Sequence, residues 1–197
     1  MQLQAEDLFD YKKPYLTNLV IMMLTWSALG FSYTLVAFEL KYLDGDIFLN
    51  SYTVGLAETV ARLLAGVILL RYGIKPLFAG AFSISVVGSI TLVYMGGAGG
   101  SLATSFNIMM TKFGVGMGWV AAFLSAIEIF PSELTGLVFG ICNVCNKLVS
   151  LTAPMVAEME PPTPLAMVAI VCTAATLLSQ KFNLNANKHQ NNPSKSD

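Results

Sequence analysis

Residues Pro14 to Phe38 read PYLTNLVIMMLTWSALGFSYTLVAF, a run of 25 residues without a charged side chain. The hydrocarbon core of a bilayer is about 30 Å thick, and an α-helix needs roughly 20 apolar residues to cross it. The run is too long for a strand, and a helix satisfies its backbone hydrogen bonds within one segment, as a lipid-exposed backbone requires. This stretch therefore predicts a transmembrane helix.

The rest of the chain repeats this pattern. Five further apolar windows are separated by short loops that carry Gly, Pro or charged residues. Because short loops place neighbouring helices antiparallel, we expect an all-α membrane protein with a six-transmembrane-helix bundle. The predicted spans are Pro14 to Phe38, Leu49 to Leu70, Pro76 to Met95, Leu102 to Ile127, Leu137 to Ala157 and Pro164 to Gln180.

Composition supports a chain whose main solvent is the lipid bilayer. Of its 197 residues, 55% are hydrophobic and 12% are charged, which is about half the charged fraction of a soluble domain. The net charge of −1 provides no basic field that would attract nucleic acid. We therefore expect contact with lipid and none with nucleic acid.

The charges in the loops predict the topology and the domain boundaries. Seven basic residues fall on one side of the membrane and only Lys41 on the other, which places both termini in the cytoplasm. We expect the bundle to span residues 14–180, between a cytoplasmic segment of residues 1–13 and a disordered cytoplasmic tail of residues 181–197. The seven are Lys12, Lys13, Arg71, Lys75, Lys181, Lys188 and Lys195.

Four ionisable residues lie inside the predicted spans: Glu58, Arg62, Lys112 and Lys147. An Arg, Lys or Asp at the centre of a membrane helix costs about 3 kcal/mol, so such residues are expected to face a protein or water-filled interior. Glu58 and Arg62 are four residues apart and could form a simple ion pair on one helix face. That pair would leave Lys112 and Lys147 without acidic partners, which predicts either a ligand carboxylate or an acidic group on another polypeptide.

Catalytic and metal-binding patterns are weak in this chain. Cys142 and Cys145 have a C-x-x-C spacing, but the only histidine is His189 in the polar tail, so we interpret the cysteines as helix-packing residues. With no nucleophile, metal cluster or nucleotide loop in evidence, we expect no enzyme activity, no metal and no cofactor.

The glycines and the aromatic residues in the spans each allow two interpretations. The glycines at 114, 116 and 118 and the Gly136 to Gly140 pair are interpreted as points of close helix approach, with a hinge as the alternative. Trp26, Trp119 and the tyrosines are interpreted as lipid-facing or interfacial residues, with a place in a cavity as the alternative.

Several short motifs, in their order and spacing, resemble the organic ion transporter branch of the major facilitator superfamily. The resemblance implies the C-terminal six-helix bundle of a twelve-helix solute carrier, with the N-terminal half absent. Two departures concern cytoplasmic gating contacts, because Ile74 and Thr135 stand where the family has arginines. The matching stretches are Gly45 to Asn50 (GDIFLN), Gly55 to Glu58 (GLAE), Arg71 to Pro76 (RYGIKP), Lys112 to Gly114 (KFG), Glu128 to Glu133 (EIFPSE) and Ala153 to Pro154.

The resemblance also bears on the charge of the substrate. In this family the position of Lys147 is basic in carriers of organic anions or carnitine, and the position of Arg62 is basic in the organic anion branch. The resemblance therefore implies an anionic or zwitterionic substrate, bound by Arg62 and Lys147 near the midplane. Lys112, Tyr33 and Glu58 are expected to line or support this site.

Two functions are compatible with these expectations. The first is transport of small organic ions across the plasma membrane by alternating access, as an organic anion half-transporter or a fragment of a longer carrier. A second six-helix half or a homodimer is the candidate partner. The alternative is a structural membrane subunit that has kept the bundle but lost transport.

Overall fold

The computed structural model describes residues 14–39, 47–95, 100–160 and 162–182. The expected N-terminal segment of residues 1–13 and the tail beyond Phe182 lie outside these ranges. Seven helices follow one another within them, and no strand is present in this part of the chain. They are α1 (Pro14–Glu39), α2 (Ile47–Tyr72), α3 (Ile74–Met95), α4 (Gly100–Ile129), α5 (Ser132–Ser150), α6 (Ala153–Ala157) and α7 (Thr163–Ser179).

Five segments of the described chain are long and apolar enough to cross a membrane, judged by length and composition. The sixth predicted span is helical and apolar, but α7 has 17 residues, fewer than the roughly 20 needed for a perpendicular crossing. The five segments are Leu16–Phe38, Ser51–Tyr72, Ile74–Tyr94, Ala103–Ile129 and Ser132–Ala157.

The fifth predicted span is not one continuous helix. It begins earlier than expected, at Ser132, and it is interrupted between α5 and α6. Pro154 has no N–H group and cannot bond the carbonyl four residues before it, so the regular ladder cannot continue there. The N–H of Thr152 instead donates to the Val149 carbonyl at 3.1 Å. This break follows directly on the turn that carries Lys147.

A glycine makes the tight junction between α2 and α3. Gly73 has a φ of 84°, a left-handed conformation that L side chains rarely adopt. Its N–H donates to the Leu69 carbonyl at 2.9 Å, which closes the end of α2. The junction turns the chain back on itself within a single residue.

The core of the bundle lies around α1 and α4. Helix α1 contacts α4, α5, α6 and α7, whereas α4 contacts α1, α2, α3 and α5. Fully buried side chains such as Trp26, Leu29 and Val115 fill the space between them. Helices α2 and α5 keep large exposed apolar side chains, including Leu63 and Leu148, which are 70% and 62% exposed.

The glycines divide into two groups. A Cβ at Gly114 would clash with the Ala81 carbonyl oxygen, and one at Gly118 would clash with Leu29, so both glycines permit close helix contact. A Cβ at Gly136 or Gly140 would meet no atom of the described chain within 4 Å. Within these ranges, the interpretation of the Gly136 to Gly140 pair as a packing site is therefore wrong.

The packed part of the chain continues past the predicted end of the bundle. Phe182 is 1% exposed, and its ring stacks on Phe78 at 5.7 Å between centroids. The amide of Gln180 also donates to the Lys75 carbonyl at 3.3 Å. These contacts hold the end of α7 against the start of α3.

Candidate functional site

Glu58 lies on the face of α2 that packs against α4, where it is 8% exposed. Gly116 of α4 sits opposite, since a Cβ there would lie 3.7 Å from the Glu58 Cα atom, in ordinary contact. The Glu58 backbone thus lies beside Gly116, and its side chain is buried between two helices of the membrane-spanning bundle.

Three side chains from three helices surround the Glu58 carboxylate. Arg62 Nη2 lies 3.3 Å from Oε2, the Tyr33 hydroxyl donates to the same oxygen at 3.5 Å, and Lys112 Nζ lies 3.7 Å from Oε1. Charge-assisted hydrogen bonds are usually about 2.7–2.9 Å long. The carboxylate is therefore contacted by two cations and one hydroxyl, none of which lies at the closest distance.

Lys112 corrects an expectation from the sequence. It was predicted to lack an acidic partner, and that prediction is wrong because Glu58 pairs with it as well as with Arg62. Lys112 Nζ also donates to the Tyr33 carbonyl at 3.0 Å and lies 3.6 Å from the centroid of the Tyr33 ring. With its side chain 3% exposed, Lys112 is a buried cation fully engaged by its neighbours.

A cavity of about 500 Å³ opens beside this cluster, within the size range of small-molecule sites. Two basic side chains and no acidic side chain of the described chain line it. Four helices contribute to its walls. The lining residues are Gly30, Tyr33 and Thr34 of α1, Arg62 of α2, Trp119, Val120 and Phe123 of α4, and Asn143, Asn146, Lys147 and Ser150 of α5.

Arg62 and Lys147 are both accessible from the cavity. The Arg62 side chain is 52% exposed although it pairs with Glu58. Lys147 is exposed and has no acidic partner among the described residues. It lies in the last turn of α5, where the partial negative charge of the helix end stabilises a cation.

The five predicted site residues thus fall into two layers. Tyr33, Arg62 and Lys147 line the cavity, whereas Glu58 and Lys112 are not among its lining residues. The second layer is joined to the first through Tyr33 and Arg62. The structure therefore brings all five together, with different exposure to a ligand.

Sequence reasoning missed the polar face of α5. Asn143, Asn146 and Lys147 are spaced at helical intervals that place them on one face, and this pattern could have identified them. Asn146 is 4% exposed and accepts a hydrogen bond from the Ser150 hydroxyl at 3.0 Å. Its amide occupies the notch that Gly30 leaves in α1, where a Cβ would clash with it.

The tryptophans also lie elsewhere than expected. Trp26 is 0% exposed, so its interpretation as a lipid-facing or interfacial residue is wrong. Its ring packs edge-on against Trp119 at 5.6 Å and Phe123 at 4.8 Å between centroids. Trp119 and Phe123 in turn line the cavity, so an aromatic wall stands beside the basic residues.

The cysteines form no metal centre in the described part of the chain, where no group of three His, Cys, Asp or Glu side chains is placed to hold an ion. Cys142 and Cys172 are buried free thiols. Cys172 lies 3.5 Å from the Ser32 hydroxyl, within the contact between α1 and α7.

Known proteins resemble this chain over most of its length. The sequence profile of the Major Facilitator Superfamily matches residues 6–154. A candidate transporter of Caenorhabditis elegans is 22% identical over 84% of this chain and 35% of its own length. Organic cation/carnitine transporter 2 of Homo sapiens is 23% identical over 77% of this chain and 27% of its own length. Solute carrier family 22 member 4 of Mus musculus is 22% identical over 70% of this chain and 25% of its own length.

The chain spans about a quarter to a third of the length of these relatives. They are named as transporters and a solute carrier rather than as enzymes, in agreement with the expectation of no enzyme activity. One of them is named for organic cations and carnitine. The predicted preference for organic anions is therefore not confirmed by the comparison.

Proposed function

This chain belongs to the Major Facilitator Superfamily, and we propose that it forms one wall of a carrier for small organic ions. The predicted fold class is confirmed as an all-α integral membrane bundle, of the kind that makes up half of the superfamily fold. The resemblance to its organic ion transporter branch is confirmed by the solute carrier relatives.

The charge of the cavity is the observation that carries this proposal. Arg62 and Lys147 reach it from α2 and α5, and no acidic side chain of the described residues lines it. Two cations in a cavity walled by protein attract an anion more strongly than they would in water, because the effective dielectric constant is lower. A carboxylate can accept two parallel hydrogen bonds from Arg62 while Lys147 adds a point charge.

The remaining lining residues suit the organic part of a substrate. Trp119 and Phe123 offer aromatic surface, and Asn143 offers an amide. A quaternary ammonium group is attracted to the face of an aromatic ring. Carnitine carries a carboxylate and a quaternary ammonium, so a zwitterion of this kind could use the basic and the aromatic parts of the cavity together. We therefore propose an anionic or zwitterionic substrate.

Transport by alternating access would require a second wall. In this superfamily, substrate sites lie at the interface between two halves that rock against each other. The cavity is bordered by α2 and α5, whose exposed Leu63 and Leu148 provide an apolar surface for a second six-helix half or a second copy of this chain. We place both termini in the cytoplasm, because of the loop charges, and the carrier in the plasma membrane.

Uptake by proteoliposomes tests the proposal. The chain would be reconstituted alone, and saturable uptake of radiolabelled carnitine, benzoate and tetraethylammonium compared with that of empty liposomes. We expect carnitine and benzoate to be taken up in preference to tetraethylammonium. If transport requires the second wall, we expect the same preference in binding. Absence of saturable uptake and binding of both carboxylates would contradict the proposal.

One observation favours the alternative of a structural subunit without transport. Glu58 already pairs with Arg62 and Lys112, so much of the buried charge is satisfied without a ligand. A stable monomer in mild detergent that neither binds nor takes up any of the three probes would support this alternative. A dimer that takes up carnitine or benzoate would exclude it.

A further inference from the structure

The position of Glu58 suggests a role beyond structural support of the cavity. We propose that its carboxylate is a resident counter-ion that competes with the carboxylate of the substrate for Arg62. This inference rests on the proposed function, because it concerns how tightly the same cavity holds an anion. It identifies Glu58 as a residue that sets affinity and charge selectivity without lining the cavity itself.

Arg62 is the group that the two carboxylates would share. Its guanidinium carries five N–H donors, and Nη2 lies 3.3 Å from Glu58 Oε2. More than half of the side chain remains exposed, at 52%, whereas the Glu58 side chain is 11% exposed. Arg62 therefore reaches Glu58 on its buried side and presents its other donors to the cavity.

The distances make this ion pair easy to exchange. The contacts to Glu58 Oε2, 3.3 Å from Arg62 and 3.5 Å from Tyr33, are longer than the roughly 2.7–2.9 Å of a tight charge-assisted bond. An Arg62 that turns towards a substrate thus gives up a loose contact. It can then form a closer, two-pronged one with a carboxylate in the cavity.

Lys112 keeps the Glu58 carboxylate ionised and in place during such an exchange. Its Nζ lies 3.7 Å from Oε1, on the opposite oxygen from Arg62. Lys112 is independently held by the Tyr33 carbonyl at 3.0 Å and by the Tyr33 ring. Glu58 would therefore remain in place beside a bound substrate.

A retained negative charge next to the substrate has two consequences. It repels any substrate carboxylate on Arg62, because like charges at short range in a partly buried site interact strongly. It also attracts the cationic end of a zwitterion. Glu58 would then lower the affinity for simple anions and favour molecules that carry both charges.

Removal of the Glu58 charge tests the counter-ion role, because this role predicts tighter binding of benzoate. Glu58→Gln keeps the shape of the side chain and removes the competing charge. Benzoate should therefore bind about 5-fold more tightly, the upper end of what one partly exposed ion pair contributes. The reconstituted chain would be titrated with radiolabelled benzoate. Glu133→Gln makes the same change in charge in the first turn of α5, away from the cavity, and should leave the Kd unchanged.

A double-mutant cycle decides whether the effect passes through Arg62. In an Arg62→Gln background, Glu58→Gln should no longer tighten benzoate binding, since the shared group is gone. If Glu58 only stabilised the fold, Glu58→Gln would weaken benzoate binding both in the wild-type chain and in the Arg62→Gln chain. Where Glu58→Gln does not fold, Glu58→Asp withdraws the carboxylate from Arg62 and should tighten binding roughly 2- to 3-fold.

The outcomes separate this inference from the proposed function. Benzoate binding by the wild-type chain with an unchanged or weaker Kd in the Glu58 variants overturns the counter-ion role alone. A tightening of equal size in the Arg62→Gln background overturns it too. Absence of benzoate binding in the wild-type chain and every variant overturns the proposed function and this inference together.

Discussion

Lys112 Nζ lies 3.7 Å from Oε1 of Glu58, and this contact joins α4 to α2 inside the bundle. The two residues are far apart in the chain, and each would be costly alone at this depth. Their pairing offsets part of that cost, and Tyr33 of α1 completes the cluster from a third helix. One polar junction therefore links three helices at the wall of the cavity.

Loss of the Lys112 charge should destabilise the bundle. Lys112→Met leaves the Glu58 carboxylate with Arg62 and the Tyr33 hydroxyl, and breaking a buried pair typically costs about 3–5 kcal/mol. We expect a lower Tm in thermal unfolding of the detergent-solubilised chain. Lys75→Met, in the first turn of α3, is the matched control, and its Tm should be close to that of the wild type. Equal Tm values for wild type and Lys112→Met would mean that the junction does not stabilise the fold.

Reversal of the charge at Lys147 should alter selectivity. In Lys147→Asp, the cavity has one basic and one acidic lining residue in place of two basic ones, so benzoate affinity should fall about tenfold or more. Binding of tetraethylammonium should increase. Lys147→Arg preserves the charge and should preserve benzoate binding. Unchanged affinity and selectivity in Lys147→Asp would remove Lys147 from the proposed site.

Two glycine substitutions should differ in their effect on stability. A Cβ at Gly30 would clash with the Asn146 amide, so Gly30→Ala should cost about 1–3 kcal/mol, as overpacking of a core does. Gly136→Ala adds the same methyl group where the described chain has no atom within 4 Å. The second variant should match the wild type in Tm. A similar loss in both would contradict close packing of α1 against α5 at Gly30.

The effect of truncation at Trp26 should depend on ring volume rather than on hydrogen bonding. The buried indole N–H of Trp26 has no hydrogen-bond partner within the described residues. Trp26→Ala should lose about 3–5 kcal/mol, since it leaves a large cavity. Trp26→Phe keeps an aromatic ring against Trp119 and Phe123, so its Tm should lie nearer that of the wild type. An equal loss in both variants would contradict the dependence on ring volume.

The fold was largely predictable because the signal for it is local. Each predicted span is helical over most of its length, since a long apolar run at membrane depth must satisfy its own backbone hydrogen bonds. The errors concern breaks and ends. The interruption after Ser150 depends on Pro154, and Phe182 packs past the predicted end because it meets Phe78.

The candidate site was predictable only in part. The charged residues stood out against an apolar background, because few residues of that kind are tolerated in a membrane helix. The partners of these charged residues could not be identified from the sequence. The depth of a residue along one helix does not show which neighbouring helix faces that residue. Lys112 was predicted to be unpaired for this reason, and Asn146 was missed because its role depends on the notch at Gly30.

The amino-acid sequence by itself determined that this chain is a bundle of membrane helices with basic residues within its spans, because hydropathy and span length act within single segments. Only the tertiary structure decided how those charges are distributed. Contacts between helices assign Lys112 to Glu58, leave Lys147 without an acidic partner among the described residues, and let Arg62 contact both Glu58 and the cavity. The physical reason is that an ion pair or a cavity is defined by distances of a few ångströms between segments, and those distances are set by packing.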